Sequence, residues 1–152
     1  MHIQIKCMGR ILAIDFGQKR AGIAVTDELQ MIANPLTTIS ASKTIEFIQE
    51  YISHENVDCI VVGEAKDLQN RPSESAKYIE PFVTKLHKKF PWLTIERIDE
   101  RFTSKIAMQA IIDANLKKKD RQQKELVDSI SATIILQSYL ETMEFRSNKK
   151  KS

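Results

Sequence analysis

Cysteine is scarce in this chain. Cys7 and Cys59 form no C-x-x-C pair and have no zinc-ligand spacing with His2, His54 or His87. Neither a disulfide scaffold nor a structural zinc site is therefore expected. Long apolar runs are also missing, since none reaches the roughly 18 to 20 residues that span a bilayer. Met1 to Met8 has no long apolar stretch and no small-residue cleavage site, so it does not read as a secretory signal. Together these absences point to a reducing, cytoplasmic setting. There is no internal repeat, no Pro/Gly-rich linker, no Ser/His/Asp set and no H-E-x-x-H motif. Neither sign of charge dominates: the net charge is +3 with a pI of about 8.8. That mild basicity permits a nucleic-acid partner without requiring one.

What remains is one ordinary globular domain. The chain has 152 residues, 42% hydrophobic and 28% charged, enough for a core without cross-links. Arg10 to Phe16 carries an unbroken apolar run, Ile11 to Ile14, which suits a strand buried on both faces. Gly17 to Arg20 reads as a turn, Ala21 to Thr26 as a second strand, and Met31 to Ile39 as a third, loosened by Pro35. The gaps are too short for crossover helices, so these three strands form an antiparallel meander.

Ser42 to His54 has helical spacing at Ile45, Ile48, Tyr51 and Ile52, with Ser40 or Ser42 available as a cap. Val57 to Val62 is a fourth strand. Ser73 to Phe90 is a second helix, with a kink or break expected at Pro81. Leu93 to Ile98 is a fifth strand. Helices over 103–114 and about 125–143 follow. The expected architecture is an α/β fold: a five-stranded mixed sheet, made of the meander plus two further strands, with helices packed on it. Residues 1–8 read as an N-terminal extension, 9–143 as the domain, and 144–152 as a basic, disordered tail.

Three acidic features stand at positions suited to chemistry. Asp15 ends an apolar strand, where a carboxylate is costly unless a metal, a base or a hydrogen-bonded turn compensates it. The plainer reading is an Asp that caps the turn at Gly17. Asp99-Glu100-Arg101 follows the fifth strand directly, at the end of the sheet where open α/β folds bind ligands. Alone it could equally be a solvated charge cluster. Asp128 lies in the last helix with Ser131 and Ala132 one turn on, small residues that would let the helix approach the sheet. Alone it could equally serve the helix N-terminus. Three carboxylates on separate elements suit hard divalent cations such as Mg²⁺, which take oxygen ligands. Two such ions activate water and stabilise a leaving oxygen in phosphodiester cleavage.

These residues resemble a known family. Asp15-Phe16-Gly17-Gln18-Lys19-Arg20-Ala21-Gly22-Ile23-Ala24 is similar to the YqgF opening D-x-G-x-K-R-x-G-x-A. Asp99-Glu100-Arg101-Phe102-Thr103-Ser104 resembles its D-E-R-x-[ST]-[ST] motif. Val127-Asp128, followed by Ala132, Ile135 and Leu136, resembles its C-terminal helix. The three motifs occur in order from about Gly9 to Glu141. The resemblance implies an RNase H-like fold related to Holliday junction resolvases of the RuvC type. It also implies a nuclease that processes the 5′ end of pre-16S rRNA. It implies Asp15, Glu100 and Asp128 as catalytic, metal-binding acids for Mg²⁺ or Mn²⁺, with Lys19, Arg20 and Arg101 around the phosphate.

The chain departs from the pattern at Gly63-Glu64-Ala65-Lys66, where many members have Gly-Leu-Pro, and at Thr133, where they have Ala. Glu64 is then either an extra acid at the site or a solvated loop residue. Met1 to Met8 precede the usual family start, which makes Met8 an alternative initiator. Other readings are a Holliday junction resolvase acting on branched DNA, and a non-catalytic RNA-binding ribosome-assembly module; the sequence leaves monomer and homodimer open, and a homodimer would favour the resolvase. An ATPase of the actin and Hsp70 type would need two lobes, and the length holds one.

Lys117, Lys118, Lys119, Arg121 and Lys124 form a basic run beside the helix that carries Asp128. As phosphate contacts they would give affinity without sequence specificity. Neutralising Lys117, Lys118 and Lys119 together is expected to weaken nucleic-acid binding and flatten its salt dependence, because fewer counterions are released. Binding constants measured across a salt series check this, and an unchanged slope returns the run to a solvated loop.

Overall fold

The computed structural model describes residues 9–64, 69, 74–100 and 123–150. Its elements are β1 (Arg10–Phe16), β2 (Arg20–Thr26), β3 (Ala33–Ser40), α1 (Thr44–His54), β4 (Val57–Glu64), α2 (Ala76–Lys89), β5 (Thr94–Asp99) and α3 (Gln123–Lys150). The expected helix over 103–114 lies outside the described residues.

The five strands form one sheet in the order β3-β2-β1-β4-β5. β1, β2 and β3 are the antiparallel meander; β4 and β5 run parallel to β1. β1 is central, which is why Ile11 to Ile14 are fully buried on both faces. Successive side chains in a strand point to opposite faces. One face carries Leu12, Ile14, Ile23, Ile60 and Val62 beneath α1 and α2. The other carries Ile11, Ala13, Ala24, Cys59 and Val61 beneath α3, through Ala132, Ile135 and Leu136. Phe16 stacks on Phe82 with ring centroids 4.0 Å apart, which fixes the end of β1 against α2.

Pro35 is accommodated because β3 is an edge strand and Leu36 is the extra residue of a bulge: Ile23 pairs Thr37 while Ala24 pairs Pro35. Pro81 neither ends nor splits α2. It lies on the exposed side of the helix, where water can satisfy the carbonyl one turn earlier. Neither Ser40 nor Ser42 caps α1; one 3₁₀ turn, Ala41–Lys43, leads into it instead. Residues 144–150, expected as a frayed tail, continue α3 with exposed side chains up to Lys149. No Gly or Pro interrupts the helix there. Among the described residues no helix is long and apolar enough to cross a membrane.

Cys59 is a free, buried thiol beneath α3, 4.0 Å from the Tyr139 hydroxyl. Burial pushes the thiol up to about 11, so it stays protonated and unreactive at neutral pH.

Arg97 of β5 holds Glu80 of α2 through both guanidinium nitrogens, at 2.9 and 3.1 Å. Hydrogen bonding from Arg97 keeps the Glu80 carboxyl below its ordinary range. A carboxylate whose folded pKa is depressed adds stability above its unfolded pKa, and loses it as pH falls through the folded value. The melting-temperature difference between wild type and Glu80→Gln is therefore expected to be present at neutral pH and to fade on acidification below the ordinary glutamate range. Half of Glu80 is exposed, so the difference is small. Thermal melts of both proteins across pH check it.

Candidate active site

The strand ends sort the acidic residues by face. In β1 the side chains of Ile11 and Ala13 lie under α3, so Asp15, two residues on, faces α3 as well. Ile98 of β5 packs on that face, which puts Glu100 on it too; Asp99 and Glu64 fall on the side of α1 and α2. Glu64 is the last residue of β4, paired with Asp99, rather than a loop residue. Asp15, Glu100 and Asp128 are all partly buried.

Glycines make the space. Gly22 of β2 pairs directly with Asp15 across the antiparallel ladder. The parallel register sets Ile14 beside Val62, and one further step sets Asp15 beside Gly63. Asp15 thus stands between two residues without side chains. The main chain of α3 at Asp128 and Ser129 lies against Gly22; a Cβ there would overlap the Asp128 carbonyl and stand 2.8 Å from the Ser129 nitrogen. At Gly63 a Cβ would stand 2.6 Å from Oε1 of Glu100 and 3.0 Å from Cδ1 of Ile135. Each glycine therefore admits one of the other two acids: Gly22 the helix turn that bears Asp128, Gly63 the carboxylate of Glu100. Asp128 is the sixth residue of α3, beyond the first turn that a helix dipole serves.

The turn from β1 to β2 closes through main chain, with the Gly17 N–H donating to the Arg20 carbonyl at 2.9 Å. Lys19 is exposed on this turn, and Arg20 is half-buried at the start of β2. Arg20 Nε–H donates to Oδ2 of Asp128 at 2.7 Å, a charge-assisted bond between residues 108 apart in the chain. Thr133, which stands where Ala was expected, donates its hydroxyl to the Ser129 carbonyl at 2.7 Å within α3.

The donor set suits a hard cation, since all three acids are carboxylates and the two glycines let the Asp128 turn and Glu100 approach the strands on either side of Asp15. Among the described residues, however, no three His, Cys, Asp or Glu side chains are grouped closely enough to hold a metal ion. Asp128 is engaged by Arg20 instead. Arg101, Lys117, Lys118, Lys119 and Arg121 lie outside the described residues, as does the side chain of Lys124. The two glycines and the Arg20–Asp128 pair were not read as site features from the sequence. The available signal was a glycine inside an otherwise β-branched strand, which often marks a close approach by another backbone.

A family model described as RuvX, Holliday junction resolvase, matches residues 9–142. A protein of Flavobacterium psychrophilum provisionally named pre-16S rRNA nuclease is 57% identical over 133 residues, 88% of this chain and 97% of its own. Proteins of the same name from Phocaeicola vulgatus and Bacteroides thetaiotaomicron are 56% and 55% identical, each over 91% of this chain; the matches span 99% and 100% of those proteins. Among solved structures, Thermus thermophilus RuvC in complex with a Holliday junction substrate superposes with a TM-score of 0.54 at 12% identity, covering 88% of this chain and 96% of that one. The fowlpox virus Holliday junction resolvase superposes with a TM-score of 0.51 at 17% identity, covering 88% and 99%. At such identities the likeness bears on the fold alone, and the fold is RNase H-like.

The two glycines are expected to respond differently to a methyl group. Gly22→Ala meets main chain, which cannot swing aside, and should cost about 1–3 kcal/mol or more of stability. Gly63→Ala meets the flexible end of Glu100 and should cost less. Denaturant midpoints of the two variants check the order. Equal or reversed losses would mean that α3 is not seated on β2 through Gly22.

Proposed function

The chain belongs to the RuvX family, and on that premise we propose that it is a nuclease that hydrolyses phosphodiester bonds in the 5′ region of pre-16S rRNA. The observation that carries this reading is the row Gly22, Asp15, Gly63, with Asp128 borne against one glycine and Glu100 against the other. Asp15, Glu100 and Asp128 would hold the metal. A bound Mg²⁺ or Mn²⁺ supplies an activated water and stabilises charge on the leaving oxygen.

The remaining work belongs to the chain. The main chain of Asp15 is fixed by its ladder with β2, which anchors the carboxylate at the end of β1. Gly22 and Gly63 admit the Asp128 turn and Glu100 on either side of it. Lys19 is exposed on the adjoining turn, where its ammonium can meet a phosphate oxygen. Arg20, Arg101 and the basic run Lys117 to Lys124 would extend the contact along the strand backbone. This reading includes a cytoplasmic location.

The family description favours a second reading, cleavage of branched DNA. Two symmetric cuts in a four-way junction need two sites, so that reading calls for a homodimer. A cleavage panel with Mg²⁺ or Mn²⁺, comparing precursor rRNA fragments with four-way junctions, separates the two. Cleavage of neither would favour the non-catalytic ribosome-assembly module.

Asp128→Asn keeps the shape and removes the charge. It is expected to lower cleavage by at least about a hundredfold, the scale on which one charge-stabilising group acts. RNA binding should hold or tighten slightly, because one negative charge near phosphate is gone. Stability should fall by less than about 1 kcal/mol, since the pair with Arg20 is part-exposed. Cleavage rate and melting temperature measured on one preparation check this; full activity would remove Asp128 from the site.

A further inference from the structure

Three carboxylates near one another repel unless a cation stands among them. At Asp128 the structure supplies a cation from the chain itself, the Arg20 guanidinium. Resting on the nuclease reading above, we propose that Arg20 is a positioning residue that occupies Asp128 in place of the metal. It releases the carboxylate when a divalent ion binds.

Three observations converge on this. Arg20 and Gly22 lie on the same face of β2, two residues apart, and the Asp128 turn of α3 sits on Gly22. Arg20 is therefore the side chain beside the point where the helix meets the sheet. Its Nε–H bonds Oδ2 of Asp128 at 2.7 Å, and an oxygen that accepts this bond has less electron density to give a metal. Finally, the donor types suit a cation, yet the described carboxylates are not grouped as a metal cluster. The Arg20 pair holds one of the three acids.

The pair is built to open. Arg20 keeps 40% of its side-chain surface exposed and Asp128 26%, so separating them does not strand a buried charge. Arg20 also borders a hollow of about 670 Å³ lined by Thr38, Ser40 and Lys43 together with two carboxylates, Glu46 and Glu50. That gives the guanidinium room to move, and once released it can meet a substrate phosphate, which it recognises well. Arg20 thus exchanges a carboxylate for a phosphate while Asp128 exchanges a guanidinium for a metal ion. Metal and substrate then favour each other's binding, and by linkage the preference is mutual.

The test is titration calorimetry of the full chain with Mn²⁺ alone, for wild type, Arg20→Gln, Arg20→Lys and Lys43→Gln. Arg20→Gln should bind Mn²⁺ about fivefold tighter than wild type, the scale of a part-exposed charge-assisted bond. Arg20→Lys should tighten it less, since the charge stays but the Nε donor is lost. Lys43→Gln removes a charge from the same hollow without touching Asp128, and should change affinity by less than about twofold. Without metal, Arg20→Gln should melt below wild type; with saturating Mn²⁺ the gap should close. If Arg20→Gln fails to fold, Arg20→Lys carries the same test with a smaller shift.

An affinity for Arg20→Gln no tighter than for Lys43→Gln, with the melting gap unchanged by Mn²⁺, would overturn the proposal. The pair would then be a plain structural ion pair. The nuclease reading would survive that result provided wild type binds Mn²⁺ and Asp15→Asn does not. Absence of Mn²⁺ binding in both wild type and Arg20→Gln would overturn the two together.

Discussion

The seat of α3 on β2 at Gly22 is the contact on which the carboxylate face depends. Helix and sheet normally keep a side-chain layer between them. Here one position in the sheet has no side chain, and the main chain of the helix at Asp128 and Ser129 drops into it. Ala132, Ile135 and Leu136 then bury themselves on Ile11, Ala13 and Val61 along the same line. Apolar burial supplies the attraction, and the glycine sets how close it can bring the helix. Asp128 arrives against β2 because of both.

A second constraint is the strict alternation of a strand. Four acidic residues gather near the ends of the parallel strands: Asp15, Glu64, Asp99 and Glu100. If all four faced one way, their mutual repulsion would be severe. Alternation divides them. Asp15 and Glu100 fall on the α3 face, Glu64 and Asp99 on the other. The α3 face receives Asp128 together with its counter-charge, Arg20. On the opposite face Arg97, two residues before Asp99 in β5, pairs with Glu80.

The opposite face also explains why β1 can end in a charged residue at all. Phe16 stacks on Phe82 of α2, and Leu12 and Ile14 are buried beneath α1 and α2. The strand is held firmly from one side, so its last residue on the other side can be spent on a carboxylate. A central strand with only modest packing would not tolerate that desolvation.

Much of this was legible in the amino-acid sequence. The apolar run Ile11 to Ile14 identified the central strand, and the short gaps after it required an antiparallel meander. The three spaced motifs that resemble the YqgF family named Asp15, Glu100 and Asp128 as candidates. Local rules suffice for the strand and the meander, because each depends on residues near in the chain. Local rules allowed a break at Pro81 that does not occur, its exposed side making the lost hydrogen bond cheap, and missed that residues 144–150 continue α3. Long-range contact was beyond them. That Gly22 receives a helix from more than a hundred residues away, and that Arg20 meets Asp128 across the same distance, depends on where α3 lies across the sheet. That placement is decided by the sum of many weak apolar contacts and one missing side chain. No single residue records it, so only the tertiary structure could decide it.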